Sequence, residues 1–156
     1  ACEVASTAIS NGESFFDQLL KAYKAYGLYQ EKLVSFVKKG KEGVFEIQQM
    51  MENLRKSPPE QIGGVRIKTI EDFKVGNLHN CIEGKKEVIN LPKSDVLIFT
   101  TEDGAKVAVR PSGTEPKIKF YFSVNSPLPK QSEYDDIRSV LIAKIDRMCG
   151  DLGLTA

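Results

Sequence analysis

The chain has 156 residues, 41% hydrophobic and 28% charged, with a formal net charge of +1. That composition fits a globular protein with a real core, and near-zero net charge excludes a whole-molecule field that would draw in nucleic acid or an anionic membrane, so any anion site must be local. No apolar run is long enough to span a bilayer, no signal-peptide pattern is present, and Cys2, Cys81 and Cys149 lack metal-ligand spacing, which points to free thiols in a reducing cytoplasm.

Val4, Ala5, Ala8 and Ile9 recur at helical spacing from the first residues, with no capping residue and no initiator Met before them. Two readings stand: an ordinary N-terminus that lost its Met, or a cut inside a helix of a longer protein. Ser14 to Tyr26 predicts an amphipathic helix with Phe16, Leu19, Leu20 and Tyr23 on one face, a Ser14–Asp17 capping box and Gly27 at its end. Leu28 to Phe36 is ambiguous between strand and helix. The charged run Lys38 to Gly43 is expected to be a solvated connection. A second helix is expected over Val44 to Lys56, with Val44, Ile47, Met51 and Leu54 as its stripe and Arg55 and Lys56 complementing its C-terminus. Pro58-Pro59 ends it, and with Gly63-Gly64 suggests a domain boundary.

Beyond that point the period changes to two. Val65, Ile67 and Thr69 alternate with Arg66 and Lys68 as a half-buried strand. Phe73 to Lys93 is expected to be mainly loop with short strands. Val96 to Thr101 predicts a strand covered on both faces, and Asp103-Gly104 a tight hairpin turn with positive φ at both positions, leading into Lys106 to Val109. Lys117 to Val124 places Ile118, Phe120, Phe122 and Val124 on one side and Lys117, Lys119, Tyr121 and Ser123 on the other. Glu133 to Cys149 predicts a helix with Ile137, Val140, Leu141, Ile145 and Met148 inward, capped by Ser132 with Asp135 and ended by Gly150. Hairpin-linked strands bounded by helices make an α+β layer, with helices on one face of an antiparallel sheet.

Between two of these strands lies Arg110-Pro111-Ser112-Gly113-Thr114-Glu115-Pro116-Lys117. A planar guanidinium at Arg110 suits two phosphate oxygens. Ser112 and Thr114 offer hydroxyls. Gly113 is able to take positive φ and let backbone N–H groups converge on an anion. Two prolines stiffen the loop, and Lys117 adds charge at its exit. Glu115 would repel a phosphate, so its expected part is to hold Arg110 or Lys117, or to cap a loop N–H. The bland alternative is a long hairpin loop made of common turn residues.

This octamer resembles the RPSGTEPK phosphate-binding signature of the α-D-phosphohexomutases, the phosphoglucomutase/phosphomannomutase family. Val107-Ala108-Val109, Ile118 to Tyr121, Leu91 to Leu97 and Glu31 to Phe36 are similar to the same family, so the resemblance covers most of the chain. It implies a TATA-box-binding-protein-like C-terminal domain at residues 41–156, preceded at 1–40 by the helical tail of a sugar-phosphate-binding domain. It also implies that Arg110, Ser112, Gly113, Thr114 and Lys117 bind the non-reacting phosphate of glucose 1-phosphate, glucose 6-phosphate or their mannose equivalents. In the full-length enzyme the phosphate would move between the 1- and 6-positions, with a hinge near Lys38 to Gly43 or at the diproline.

The family's phosphoserine loop, its Mg²⁺-binding loop and its sugar-reading loop have no counterpart in this sequence. The resemblance therefore implies no catalytic or metal residue here, no cofactor in this part, Mg²⁺ in the full-length enzyme, and the remaining domains of that enzyme as partners. The chain alone is not expected to turn over substrate. His79, the one histidine, lies in no family motif. Two other classes remain: a catalytically inactive anion-binding or regulatory domain, and a nucleic-acid module stacking bases on Phe120 to Phe122. The second is disfavoured because alternation leaves only Tyr121 outward.

Overall fold

The computed structural model describes residues 2–38 and 40–154. Among the described residues, four α-helices and eight strands follow one another as α1 (Cys2–Ser10), α2 (Phe15–Tyr26), β1 (Leu28–Val37), α3 (Gly40–Lys56), β2 (Gln61–Ile62), β3 (Val65–Asp72), β4 (Asn77–Asn80), β5 (Lys85–Val88), β6 (Leu97–Thr101), β7 (Lys106–Pro111), β8 (Lys117–Ser126) and α4 (Tyr134–Asp151). The strands form one open sheet in the order β1-β8-β7-β6-β3-β4-β5, with β2 pairing on β3. The fold is α+β, an antiparallel sheet with helices, as the alternation of periods predicts. No helix of the described residues is long and apolar enough to cross a membrane.

The chain forms two compact units: Ala1–Gln30 with Asn125–Ala143, and Glu31–Val124 with Lys144–Ala156. In the first, α1 lies against α2. Ser14 caps α2 with the reciprocal Asp17 bond the sequence predicts, and Gly27 closes its end by donating to the Tyr23 carbonyl. Tyr134 meets Phe16 edge-on at 5.4 Å and stacks on Tyr23 at 6.1 Å. Ala8, Leu20, Leu28, Leu128 and Leu141 are buried, while Val4 and Ile9 stay exposed.

The second unit holds the main core. Leu97, Phe99, Val107, Val109, Ile118, Phe120, Phe122 and Val124 are buried on the inner face of the sheet, and α3 packs on β7. Ile47 and Met51 of α3 and Ile145 and Met148 of α4 complete that layer. The outer residues of β6, Ile98 and Thr100, are only half-buried, so β6 is covered on one face rather than two. The ambiguous stretch after Gly27 is the strand β1, because its period-two face brings Phe36 edge-on to Phe120 at 6.2 Å. The loop expected over Phe73 to Lys93 contains the β4–β5 hairpin.

Several ends differ from the sequence reading. Helix α3 begins at Gly40, inside the expected connection, of which Lys39 lies outside the described residues. Gly43, not Val44, faces inward: a Cβ there would sit 2.5 Å from the Lys38 Cβ, while Val44 is exposed. Pro58-Pro59 and Gly63-Gly64 turn the chain from α3 into the sheet within one unit, so they do not divide two. Arg55 does not cap its helix. Its side chain is nine-tenths buried and binds Asp72 and Asp95, tying α3 to β3 and to the segment before β6. Burial works against that charge, but the two carboxylates outweigh it and raise the Arg55 pKa.

The β6–β7 turn has positive φ at Gly104 only. Gly104 N–H donates to the Thr101 carbonyl and Thr101 N–H to the Ala105 carbonyl, the three-residue arrangement with glycine in the left-handed position. Asp103 keeps negative φ and accepts from the Thr101 hydroxyl at 2.6 Å and from Lys144. A 3₁₀ turn at Gln131–Glu133 absorbs the expected Ser132 cap. Helix α4 runs past Gly150 to Asp151, and Gly153, whose φ is 67°, turns the chain beyond it. Val140 on α4 is exposed.

Two predictions follow from this packing. Gly43→Ala forces a side-chain carbon onto Lys38, and overpacking costs about 1–3 kcal/mol against roughly 1 kcal/mol of helix propensity gained; chemical denaturation should show a net loss. Burial pushes the Asp103 carboxyl up, but bonds from Lys144 and Thr101, the Lys144 charge and the Ala105 N–H together hold it below the ordinary value. Its contribution is therefore complete above the ordinary carboxylate pKa and lost as pH falls through the lower folded value. The stability difference between the wild type and Asp103→Asn should be level near neutrality and shrink in acid.

Candidate functional site

The β7–β8 hairpin positions the conspicuous octamer. The register pairs Val107 with Phe122, Val109 with Phe120 and Pro111 with Ile118 on the inner face. It consequently pairs Ala108 with Tyr121 and Arg110 with Lys119 on the outer face. Burying the aromatic pair fixes this arrangement, since a slip of one residue would turn Arg110 and Lys119 into the core.

Ser112 to Pro116 form the loop. Ser112 N–H donates to the Lys117 carbonyl and Lys117 N–H to the Glu115 carbonyl, each at 2.7 Å. The Ser112 hydroxyl oxygen accepts from the N–H groups of Thr114 and Glu115 at 3.5 and 3.4 Å. Lys38 N–H donates to the Pro116 carbonyl at 2.8 Å, so the end of β1 also holds the loop. These bonds give the segment a defined shape.

A cavity of about 340 Å³ opens beside it, lined by Arg110, Pro111, Ser112, Gly113, Thr114, Lys119 and Tyr121. Four of the five residues singled out from the sequence are thus together. Lys117 is not among the lining residues; its backbone closes the loop, and the second cation of the cavity is Lys119. That residue was available from sequence, because strand alternation puts Lys119 on the same face as Arg110 once the register is known.

The expected backbone nest differs in detail. Gly113 does not adopt positive φ, and a Cβ there would meet nothing within 4 Å. Glu115 holds neither Arg110 nor Lys117. The ion pairs of the described residues run elsewhere, as in Lys38–Glu46, Arg66–Glu102 and Lys144–Asp103, and leave Arg110, Lys117, Lys119 and Glu115 without one. Two cations directly opposite on neighbouring strands repel each other. An anion between them, also within reach of the Ser112 and Thr114 hydroxyls, would remove that repulsion.

No alternative chemistry has comparable support. His79 Nδ1 lies 4.0 Å from Cys81 Sγ, but burial pushes the Cys81 thiol pKa up, which disfavours a nucleophilic thiolate. Among the described residues no group of three or more His, Cys, Asp or Glu side chains is arranged to hold a metal ion.

Residues 37–136 match the family described as phosphoglucomutase/phosphomannomutase, C-terminal domain. The phosphoglucomutase of Staphylococcus aureus strain MRSA252 is 34% identical over 134 residues, which cover 86% of this chain and 23% of that protein. The enzyme of strain USA300 gives the same figures. The chain thus corresponds to 23% of the length of these curated relatives. Among solved structures, the open form of the Paramecium phosphoglucomutase pp63/parafusin aligns with a TM-score of 0.48 and 10% identity, covering 93% of this chain and 26% of that one.

The geometry makes two checkable statements. In the absence of phosphate, Lys119→Thr should leave thermal stability unchanged or raise it by up to about 1 kcal/mol, with the gain fading as salt increases. Added phosphate should stabilise the wild type more than this variant. Gly113→Ala, with open space and ordinary backbone angles, should melt as the wild type does.

Proposed function

As the chain belongs to the phosphoglucomutase/phosphomannomutase family and carries its C-terminal domain, we propose that the Arg110 loop binds the non-reacting phosphate of a hexose phosphate in a phosphoglucomutase or phosphomannomutase reaction. One observation carries this reading: Arg110 and Lys119 face each other at the mouth of a preshaped loop, without carboxylate partners, beside two hydroxyls. Arg110 would take two phosphate oxygens and Lys119 a third. Ser112 and Thr114 would donate hydroxyl hydrogens, the Gly113 backbone would allow close approach, and Lys117 would add charge at the loop exit.

Within a complete mutase, this clamp would grip whichever phosphate is not reacting while the sugar turns between half-reactions. Binding a remote group in this way positions the reacting one. Closure of residues 41–156 over the substrate, following a 1–40 segment that belongs to the preceding domain, would keep water from the phosphoserine. The phosphoserine, Mg²⁺ and sugar-reading loops would come from the other domains of that enzyme. A regulatory domain that kept the fold without the chemistry is a different reading, and no feature of this site favours it.

Magnitudes set the expected behaviour of the chain by itself. Charge-assisted hydrogen bonds contribute roughly 1.5–3 kcal/mol each, while association costs about 4–15 kcal/mol. A few such bonds leave an affinity near about 1 mM. Amide shifts of the isotopically labelled chain, titrated with phosphate, glucose 1-phosphate and glucose 6-phosphate, should move at Arg110 to Lys119 with all three. Arg110→Ala should weaken binding at least about tenfold, the loss of roughly one charge-assisted bond. Mutase turnover should be absent from the chain alone; turnover free of contaminating enzyme would contradict the assignment.

A further inference from the structure

His79 stands opposite Ile70 of β3 and Lys86 of β5. Cys81 follows two residues later, just past the end of β4, where its N–H still donates to the Lys68 carbonyl at 2.8 Å. Side chains two apart on extended backbone point to one side, and Cys81 Sγ lies 4.0 Å from His79 Nδ1. Beyond Cys81 the chain turns, and the Asn80 side chain fixes that turn by accepting from the N–H groups of Ile82 and Glu83, each at 3.1 Å. The sulfur and the ring nitrogen are therefore brought together by paired backbone, not by a loose tip.

Both side chains are half-buried and line one cavity of about 270 Å³, which Pro58, Pro59, Ile70 and Ile82 make mainly apolar. Their separation is long for a hydrogen bond and short enough for two ligands of one ion. Metal–sulfur and metal–nitrogen bonds of about 2.3 and 2.0 Å span about 4.3 Å end to end, so an ion bridging atoms 4.0 Å apart sits between them with its two bonds opened wide. We propose that Cys81 Sγ and His79 Nδ1 together hold one soft monovalent cation of the copper(I) class, reached through that cavity.

Donor type and number select that class. Thiolate sulfur and imidazole nitrogen both suit copper, and two donors suffice for a monovalent ion with a filled d shell. Zinc takes four ligands in structural sites, and among the described residues no third His, Cys, Asp or Glu joins the pair. Glu60, which borders the cavity, thus stands outside the ligand set, and Arg66 at the same margin is tied to Glu102. Charge points the same way. Burial disfavours a bare thiolate and pushes the Cys81 thiol pKa up. A thiolate bound to a monovalent ion is neutral, so the same surroundings tolerate it, whereas a divalent ion would leave a net charge there. Binding releases the thiol proton to solvent.

The test adds silver(I), a redox-inert stand-in, in chloride-free buffer to the reduced, labelled chain carrying Cys2→Ser, which removes the exposed thiol. A single equivalent should shift the amides of His79 to Ile82 and of Ile70, and then saturate. Copper(I), competed against a bicinchoninate chelator, gives the affinity. It should fall at least about tenfold in His79→Gln and in Cys81→Ser, a loss that even an outer-sphere partner typically causes. Silver that moves the surroundings of Cys149 and leaves His79 to Ile82 unmoved would overturn the proposal. So would a copper affinity that His79→Gln leaves unchanged, which would mean a lone thiol, or zinc(II) bound as tightly as copper(I). The silver titration carries no substitution at the pair, so it decides the matter even where a variant fails to fold.

Discussion

Phe120 and Phe122 are buried from one face of β8, and that burial constrains everything around the loop. Each ring removes a large apolar area from water, which stabilises by about 1.5–3 kcal/mol per fully buried side chain. Because side chains alternate along a strand, burying these two turns Lys119 and Tyr121 outward with no freedom to choose. Pairing Val107 and Val109 with the same rings then turns Ala108 and Arg110 outward as well. The cation-bearing face is thus the complement of the hydrophobic one, and a register slip would bury two cations.

The loop at the end of this hairpin is held rather than free. Ser112 bonds Lys117 across the base, the Ser112 hydroxyl organises Thr114 and Glu115, and Lys38 bonds Pro116 from β1. A loop already shaped loses less conformational entropy when an anion arrives. Against this, Arg110 and Lys119 stand opposed without carboxylates to neutralise them. The site therefore concentrates unfavourable charge on a rigid frame, and a bound phosphate would offset it.

Other charged groups pair between elements of the fold. Arg55 ties α3 to Asp72 and Asp95, Lys144 of α4 reaches Asp103 in the β6–β7 turn, and Lys32 of β1 reaches Asp146. These links join helices to strands at the margins of the inner layer. The outer face bears Arg110 opposite Lys119, with Ala108 between Ile98 and Tyr121.

Local chemistry made much of this legible. The Ser14–Asp17 box, the end of α2 at Gly27 and the alternation of Ile118, Phe120, Phe122 and Val124 each depend on neighbours within a few residues, so the sequence alone determines them. The octamer from Arg110 to Lys117 likewise carries its resemblance to a family in contiguous residues. Features set by distant partners were not legible. Gly43 faces inward because Lys38 lies against it, Arg55 is drawn into the sheet by Asp72 and Asp95, and Asp103 keeps negative φ because the turn closes on Thr101 and Ala105. Lys119, rather than Lys117, joins Arg110 because cross-strand register, a property of two segments together, decides which side chains share a cavity. Sequence specified the residues of the loop; tertiary pairing specified the second cation beside Arg110.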